Sequence, residues 1–326
     1  MRTVMISKPG GPEVLSLVNK PRPEPAGEEV RIRVRAVGLN RADLLQRRGL
    51  YPPPPGVDPT IPGLEYAGEI DALGSRCRLR KIGERVMGLI AGGAYAEYVV
   101  VHERETIPVP AGLNWTQAAA IPEAFLTAYR AVFLEGRLGM NDWCLIRAAT
   151  SGVGIAAVQL VQAFGGQAAG TSRSAERLEK LRDYGLAQAY VEGQGALPRW
   201  MQDMTAGCGA QVVLDLLGGH LQENLQALAE EGRLIVVGML SGNAQDQLNL
   251  GLLLMRRQSI RAMTMRSLPL EQRIELAQTF TRRLSPLFMQ GQLQPVVDRV
   301  FTLEQAVQAH QYMEAGSHFG KIVLQI

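Results

Sequence analysis

The run Trp143-Cys-Leu-Ile-Arg-Ala-Ala-Thr-Ser-Gly-Val-Gly-Ile-Ala-Ala-Val-Gln-Leu-Val-Gln-Ala-Phe-Gly165 holds the residues whose types and spacing best define a chemistry. Its apolar start suits a buried strand, its small residues a tight turn, and its spacing from Ile155 onward an amphipathic helix. A helix opening at that turn presents unpaired N–H groups and the positive end of its dipole. Small residues at Ala149, Thr150, Ser151, Gly152 and Gly154 let the backbone approach a pyrophosphate closely. The usual Gly-x-Gly-x-x-Gly pattern falls on Ala149–Gly154 and keeps only its last glycine. Taken alone, the segment fits a dinucleotide site and an ordinary strand-turn-helix joint about equally.

The elements around this turn favour the first reading. From residue 143 strands and helices alternate: strand 143–148, helix 152–164, strand 167–171, helix 174–184, strand 187–191, helix 196–205, strand 211–216, helix 220–230, strand 232–238. That succession is the pattern of a doubly wound α/β sheet with its parallel strands covered on both faces. Residues 1 to about 120 instead carry short alternating runs between Gly and Pro, such as Val30–Val37, Ala67–Leu73, Arg85–Ile90 and Ala96–Val101, which predict a mostly β region. The segment Tyr51-Pro-Pro-Pro-Pro-Gly56 is a stiff loop. Helical spacing takes over from Thr116, with Pro122 early in a helix reaching Leu134. The last sixty or so residues predict a helix over 270–290, a strand over 296–301, a helix over 303–314 and a strand over 321–325. They break the alternation and suggest a return to the first, mostly β domain.

Composition narrows the function classes. With 326 residues, 46% hydrophobic and 20% charged, the chain can form two folded domains. Its 34 basic and 31 acidic residues give a net charge of +3 without long basic runs, so neither nucleic acid nor a membrane surface is an expected partner. Cys77, Cys144 and Cys208 are far apart and odd in number, which fits packing roles in a reducing compartment. No signal-type stretch opens the sequence, and a cytoplasmic location is expected.

Six motifs in register, Lys8-Pro-Gly-Gly-Pro-Glu13, Asn40-Arg-Ala-Asp43, Pro62-Gly-Leu-Glu65, Gly83-Glu-Arg-Val-Met-Gly88, Ser151-Gly-Val-Gly154 and Gly320-Lys-Ile-Val-Leu324, span the chain. In order and content they resemble the medium-chain dehydrogenase/reductase superfamily, in its zinc-free NADPH:quinone oxidoreductase branch related to zeta-crystallin. The resemblance implies a GroES-like catalytic domain over 1–123 and 267–326, with a Rossmann domain inserted over 124–266. It also implies a substrate held in the cleft between the two. Zinc-dependent relatives bind their metal through a Cys at the position of Asn40 and a His at that of Leu64, and they carry a four-Cys structural site. None of these ligands is kept, so no metal is expected. By the same resemblance, Asn40 through its amide and Tyr51 through its phenol are the candidates for polarising the acceptor. Tyr51 also fits plain loop packing.

Cofactor choice is read after the second strand, where an acid would bind the ribose hydroxyl of NAD and a base the 2′-phosphate of NADP. Here the strand runs into Gly170-Thr-Ser-Arg-Ser-Ala-Glu-Arg177. Arg173 is placed for that phosphate, and Arg177 stands where relatives carry Lys; Ser172 lies beside them. NADPH is therefore expected, with NADH the weaker alternative. Glu192 occupies the position of a family Tyr near the same phosphate. Facing the site it would weaken the NADPH preference, and turned away it would leave the arginines dominant. The resemblance further assigns Thr127, Ser151, Gly152, Val153, Gly154, Gly238, Met239, Leu240, Arg266 and Lys321 to the cofactor. Asp215 reads as a structural carboxylate, and His102, His220, His310 and His318 as surface or capping residues.

The function so implied is NADPH-dependent quinone reduction. Its alternatives are reduction of enone or alkenal double bonds, and a cofactor-binding stabilising or RNA-binding protein of the zeta-crystallin type. A homodimer formed through an edge strand near Ser259–Met265 is expected from the resemblance alone.

Overall fold

The computed structural model describes residues 1–242 and 245–326. The chain divides into two units, Met1–Leu126 with Met265–Ile326, and Thr127–Thr264. The first unit begins with a hairpin of β1 (Arg2–Ile6) and β2 (Leu15–Asn19). In β3 (Glu29–Gly38), Val30, Ile32, Val34 and Val37 are buried. It leads into α1 (Arg41–Arg47), which Asn40 and Asp43 close with a reciprocal capping box. Strands β4 (Glu65–Leu73), β5 (Arg85–Leu89), β6 (Tyr98–His102) and β7 (Ile107–Pro108) follow, then helices α2 (Trp115–Ala119) and α3 (Pro122–Tyr129).

The second unit alternates β8 (Trp143–Ile146), α4 (Gly152–Ala163), β9 (Gln167–Ser172), α5 (Ala175–Arg182), β10 (Gln188–Val191) and α6 (Leu197–Met204). It continues through β11 (Ala210–Asp215), α7 (Leu221–Ala227), β12 (Leu228–Val236), α8 (Leu250–Met255) and β13 (Ser259–Ala262). These strands form one parallel sheet in the order β10-β9-β8-β11-β12-β13. The order reverses between β8 and β11, which is the switch point where open α/β sheets bind ligands at their carboxyl ends. Buried Leu145, Ala169, Val213 and Leu234 fill its core, while β13 is exposed throughout at one edge.

The chain then returns through α9 (Leu270–Thr279), α10 (Ser285–Met289), β14 (Val297–Thr302), α11 (Ala306–Ala315) and β15 (Lys321–Gln325). In the first unit's main sheet β3 is the hub, pairing antiparallel with β15, β4 and β6. Val323 pairs with Gly38, and Leu39 N donates to Ile322 O at 2.8 Å. This register carries Lys321 to Asn40.

Three expected elements differ. The helix over 220–230 stops at Ala227, because Leu228 pairs with Ala210 at the start of β12. Helix-favouring residues there yield to burial in the sheet. The helix reaching Leu134 widens into a π-turn over Arg130–Glu135. The helix over 270–290 likewise breaks into α9, a π-turn and α10, with Pro286 supplying no N–H for a regular ladder. Among the described residues, no helix is long and apolar enough to cross a membrane.

Candidate functional site

In the Thr127–Thr264 unit, the turn after β8 places Ala148 at φ +55 and Ser151 as the N-cap of α4. Ser151 Oγ accepts from Gly154 N at 3.1 Å. The N–H groups of Gly152 and Val153 begin the helix in partly exposed positions, and they are the donors an anion would use. Gly154 is required by close packing, since a Cβ there would stand 2.6 Å from the carbonyl oxygens of both Ala148 and Ala149.

Beside this turn, Ser172 Oγ lies 3.2 Å from Thr150 Oγ1 and accepts from Ser174 N at 3.2 Å. These bonds tie together the ends of β8 and β9. Arg173 is exposed on the connecting loop, and Arg177 is partly exposed in the first turn of α5. Beyond β12, Leu240 N donates to Leu216 O and Ser241 Oγ to Gly218 O, fastening the Gly238–Ser241 loop to the one after β11. Met239 is exposed there. The Thr127 hydroxyl is buried without a hydrogen-bond partner among the described residues, and an orphaned buried hydroxyl calls for one. The short-side-chain turn, the free helix donors and this hydroxyl together fit a nicotinamide dinucleotide.

Glu192 is already paired. Its oxygens lie 3.1 and 3.3 Å from Nη2 of Arg147, a fully buried residue at the end of β8. Arg147 also donates to Glu223 at 2.9 Å and to Asn224 Oδ1 at 2.7 Å. Asn224 in turn donates to Asp215 at 3.0 Å, and Asp215 accepts from the N–H groups of Leu217 and Gly218. Asp215 therefore has the expected structural role. Sequence reasoning missed Arg147, although a lone cation ending an apolar strand signals buried partners.

A second polar assembly occupies the other unit. Lys321 Nζ is 2.7 Å from Leu39 O, 2.6 Å from Asn40 Oδ1 and 2.6 Å from Glu65 Oε1. Asn40 Nδ2 donates to the same Glu65 oxygen at 2.9 Å, while Glu65 Oε2 accepts from Glu123 N at 2.7 Å. Gly38 makes room, since a Cβ there would lie 2.2 Å from Glu65 Oε1. Lys321, expected at the cofactor, here places its three donors on these protein oxygens. Arg266, also expected at the cofactor, is buried and donates to Ala91 O, Tyr51 O and Gln46 Oε1, with its guanidinium 5.1 Å from the Tyr51 ring centroid. These contacts fix the Tyr51 segment.

Beneath Asn40, buried Asp43 accepts from Asn40 N at 2.8 Å, Gly63 N at 3.1 Å and Tyr95 OH at 3.2 Å. Tyr95 OH is 3.2 Å from His310 Nε2, and Arg47 Nη1 is 3.1 Å from His310 Nδ1. Because Arg47 can only donate, the imidazole proton is assigned to Nε2 and the chain of donors points toward Asp43. Burial, followed by the Arg47 charge, lowers His310 to about 3. The surface or capping role expected for His310 is thus corrected, since it is fully buried. Burial raises Asp43 to about 6 despite the bonds it accepts. Burial, then the neighbouring Glu65, pushes partly buried Glu123 up to about 8. Asp43, Glu65 and Glu123 went unrecognised as a cluster because they meet only in three dimensions.

A zinc ion does not fit this donor set. Asn40 Oδ1 is engaged by an ammonium ion that would repel a dication, and Leu64 is buried and apolar. No group of three His, Cys, Asp or Glu positioned to hold a metal was found among the described residues.

A family model described as alcohol dehydrogenase GroES-like domain matches residues 26–111, and one described as zinc-binding dehydrogenase matches residues 183–324. A quinone oxidoreductase of Pseudomonas aeruginosa is 33% identical, covering 97% of this chain and 96% of the relative. The synaptic vesicle membrane protein VAT-1 homolog of Danio rerio is 32% identical, over 99% of this chain and 69% of its own length. The crystal structure of Escherichia coli quinone oxidoreductase complexed with NADPH superposes with a TM-score of 0.89 at 27% identity, over 100% of both chains. With both halves matched and relatives aligned along nearly its whole length, the chain belongs to the medium-chain dehydrogenase/reductase superfamily, in its quinone oxidoreductase branch.

Proposed function

We propose that this chain reduces quinones with NADPH and without a metal ion. The observation that carries the reading is the Lys321 ammonium seated on Asn40 Oδ1 and Glu65 Oε1, each at 2.6 Å. A fixed organic cation takes oxygens that a metal would need. Removing hydride from an alcohol without a Lewis acid leaves the alkoxide unstabilised. A quinone is already electron-poor, and its reduced oxyanion is a delocalised phenolate, so its reduction does not need a Lewis acid.

Bound NADPH supplies the hydride. The Gly152 and Val153 N–H groups hold its pyrophosphate, Arg173 and Arg177 its 2′-phosphate, and the Thr127 hydroxyl its nicotinamide end. Glu192 offers little opposition, because Arg147 neutralises it. Since both ends of the Asn40 amide are bonded within the protein, the hydrogen bond to the acceptor falls to the Tyr51 phenol. Enone or alkenal reduction is the second reading, favoured by one feature: a proton for the α-carbon is at hand on Glu123, whose carboxyl is raised to about 8.

The test is a steady-state panel of 1,4-benzoquinone, 9,10-phenanthrenequinone and alkenals, each with NADPH and NADH. Turnover of the quinones, with NADPH preferred, is the expected result. Turnover of alkenals alone would overturn the reading in favour of double-bond reduction.

A further inference from the structure

We propose that Glu123 is the proton donor of this site, giving its carboxyl proton to the oxyanion left on the acceptor once hydride has been delivered. The proposal rests on the quinone reading above. Glu123 is the second residue of α3, and its backbone is anchored by the 2.7 Å bond from its N–H to Glu65. The charged and titratable groups facing it come from five segments: Glu65 on β4, Asp43 on α1, Lys321 on β15, Arg266 ahead of α9, and Tyr51 in the proline-rich loop.

The two cations do not pair with it. Lys321 is spent on Leu39, Asn40 and Glu65, and Arg266 on Ala91, Tyr51 and Gln46. Among the described residues the Glu123 carboxyl accepts no hydrogen bond and forms no ion pair. A carboxylate in a first helical turn ordinarily gains from the dipole and is ionised. Here burial and two neighbouring acids oppose ionisation, raising the group to about 8. Glu65 and Glu123 thus divide the work: one holds the lysine, and the other stays protonated near neutral pH, the pattern of an acid paired with a fixed carboxylate.

The proton balance is simple. Reduction of a quinone takes one hydride from the nicotinamide and one proton; the Glu123 O–H bond breaks as the product O–H bond forms, and water reprotonates the carboxylate. Partial exposure of Glu123 gives it access to that water. The Tyr51 phenol, held above its usual range by burial and then by Glu123, donates a hydrogen bond without losing its own proton.

The experiment measures kcat with 9,10-phenanthrenequinone and saturating NADPH as a function of pH, for the wild type, Glu123→Gln and Glu123→Asp. Difference infrared spectra of the cofactor-free proteins follow the protonated carboxyl over the same range. For the wild type, kcat should fall tenfold per pH unit above about 8. Glu123→Gln should lower kcat about a hundredfold with little change in KM, lose that alkaline limb and lose the corresponding carboxyl signal. Glu123→Asp should regain part of the rate and the limb. Wild-type turnover with a Glu123→Gln variant that keeps both the rate and the limb overturns the proposal alone. Failure of the wild type to reduce any quinone overturns the functional reading beneath it, while the infrared titration separately reports the protonation of Glu123.

Discussion

The two arginines after β9 make the cofactor preference testable at single side chains. Replacing both Arg173 and Arg177 with Ala removes the guanidinium partners proposed for the 2′-phosphate. The KM for NADPH should rise at least about tenfold, with that for NADH nearly unchanged, as expected for lost charge-assisted bonds. An unchanged KM for NADPH would refute their role. Glu123 also sets a stability prediction. Its folded value of about 8 lies above the ordinary 4.5, so its contribution is fully present below about pH 4.5 and is lost as pH rises through 8. Glu123→Gln should therefore melt higher than the wild type above pH 8, and the two should converge in acid. Superimposable melting curves at every pH would contradict this. Asn40, Tyr51 and the turn at 149–154 could be singled out in the sequence because each belongs to a compact motif. The Lys321–Asn40 bond joins residues 281 positions apart, and Glu123–Glu65 spans 58, so no local pattern could reveal what these groups do together. Resemblance alone sent Lys321 to the cofactor, but the register of β15 on β3 sends it to Asn40.

Between single residues and the whole chain, the elements hold the site through contacts that leave little slack. Gly154→Ala would drive a methyl group against two backbone oxygens at 2.6 Å, so the turn must open. Expected consequences are loss of NADPH binding in fluorescence titration and a lower melting temperature; tight binding by this variant would contradict the packing described. Arg147 ties the ends of β8 and β10 to α7. Removing its carboxylates with Glu192→Gln and Glu223→Gln leaves a buried guanidinium uncompensated, which should cost about 3–5 kcal/mol in urea denaturation. An unmoved midpoint would show that the network contributes little. The parallel strands of the second unit could be read from their apolar runs, and α4 from its cap and spacing. The end of α7 could not, because Leu228–Glu230 satisfies helical propensity while Leu228 pairs in the sheet. The π-turns were equally hidden, since a wide turn keeps the apolar spacing that helices use.

For the whole molecule, the clearest inference from sequence was that the last segment leaves the strand-helix alternation. Met265–Ile326 forms one unit with Met1–Leu126, and β15 is seated directly on β3. Lys321, on that returning strand, carries the metal-free reading proposed above: its ammonium ion lies among a carboxylate, an amide and a carbonyl. The composition could exclude broad classes but could not reveal this contact, because it depends on the register of β15 on β3. The most direct test of metal-free NADPH:quinone reduction is NADPH oxidation with 9,10-phenanthrenequinone by protein dialysed against a strong chelator. The expected result is turnover at the undialysed rate, unchanged when zinc is added. Absence of NADPH oxidation before dialysis, or activity that disappears on chelation and returns with zinc, would contradict it.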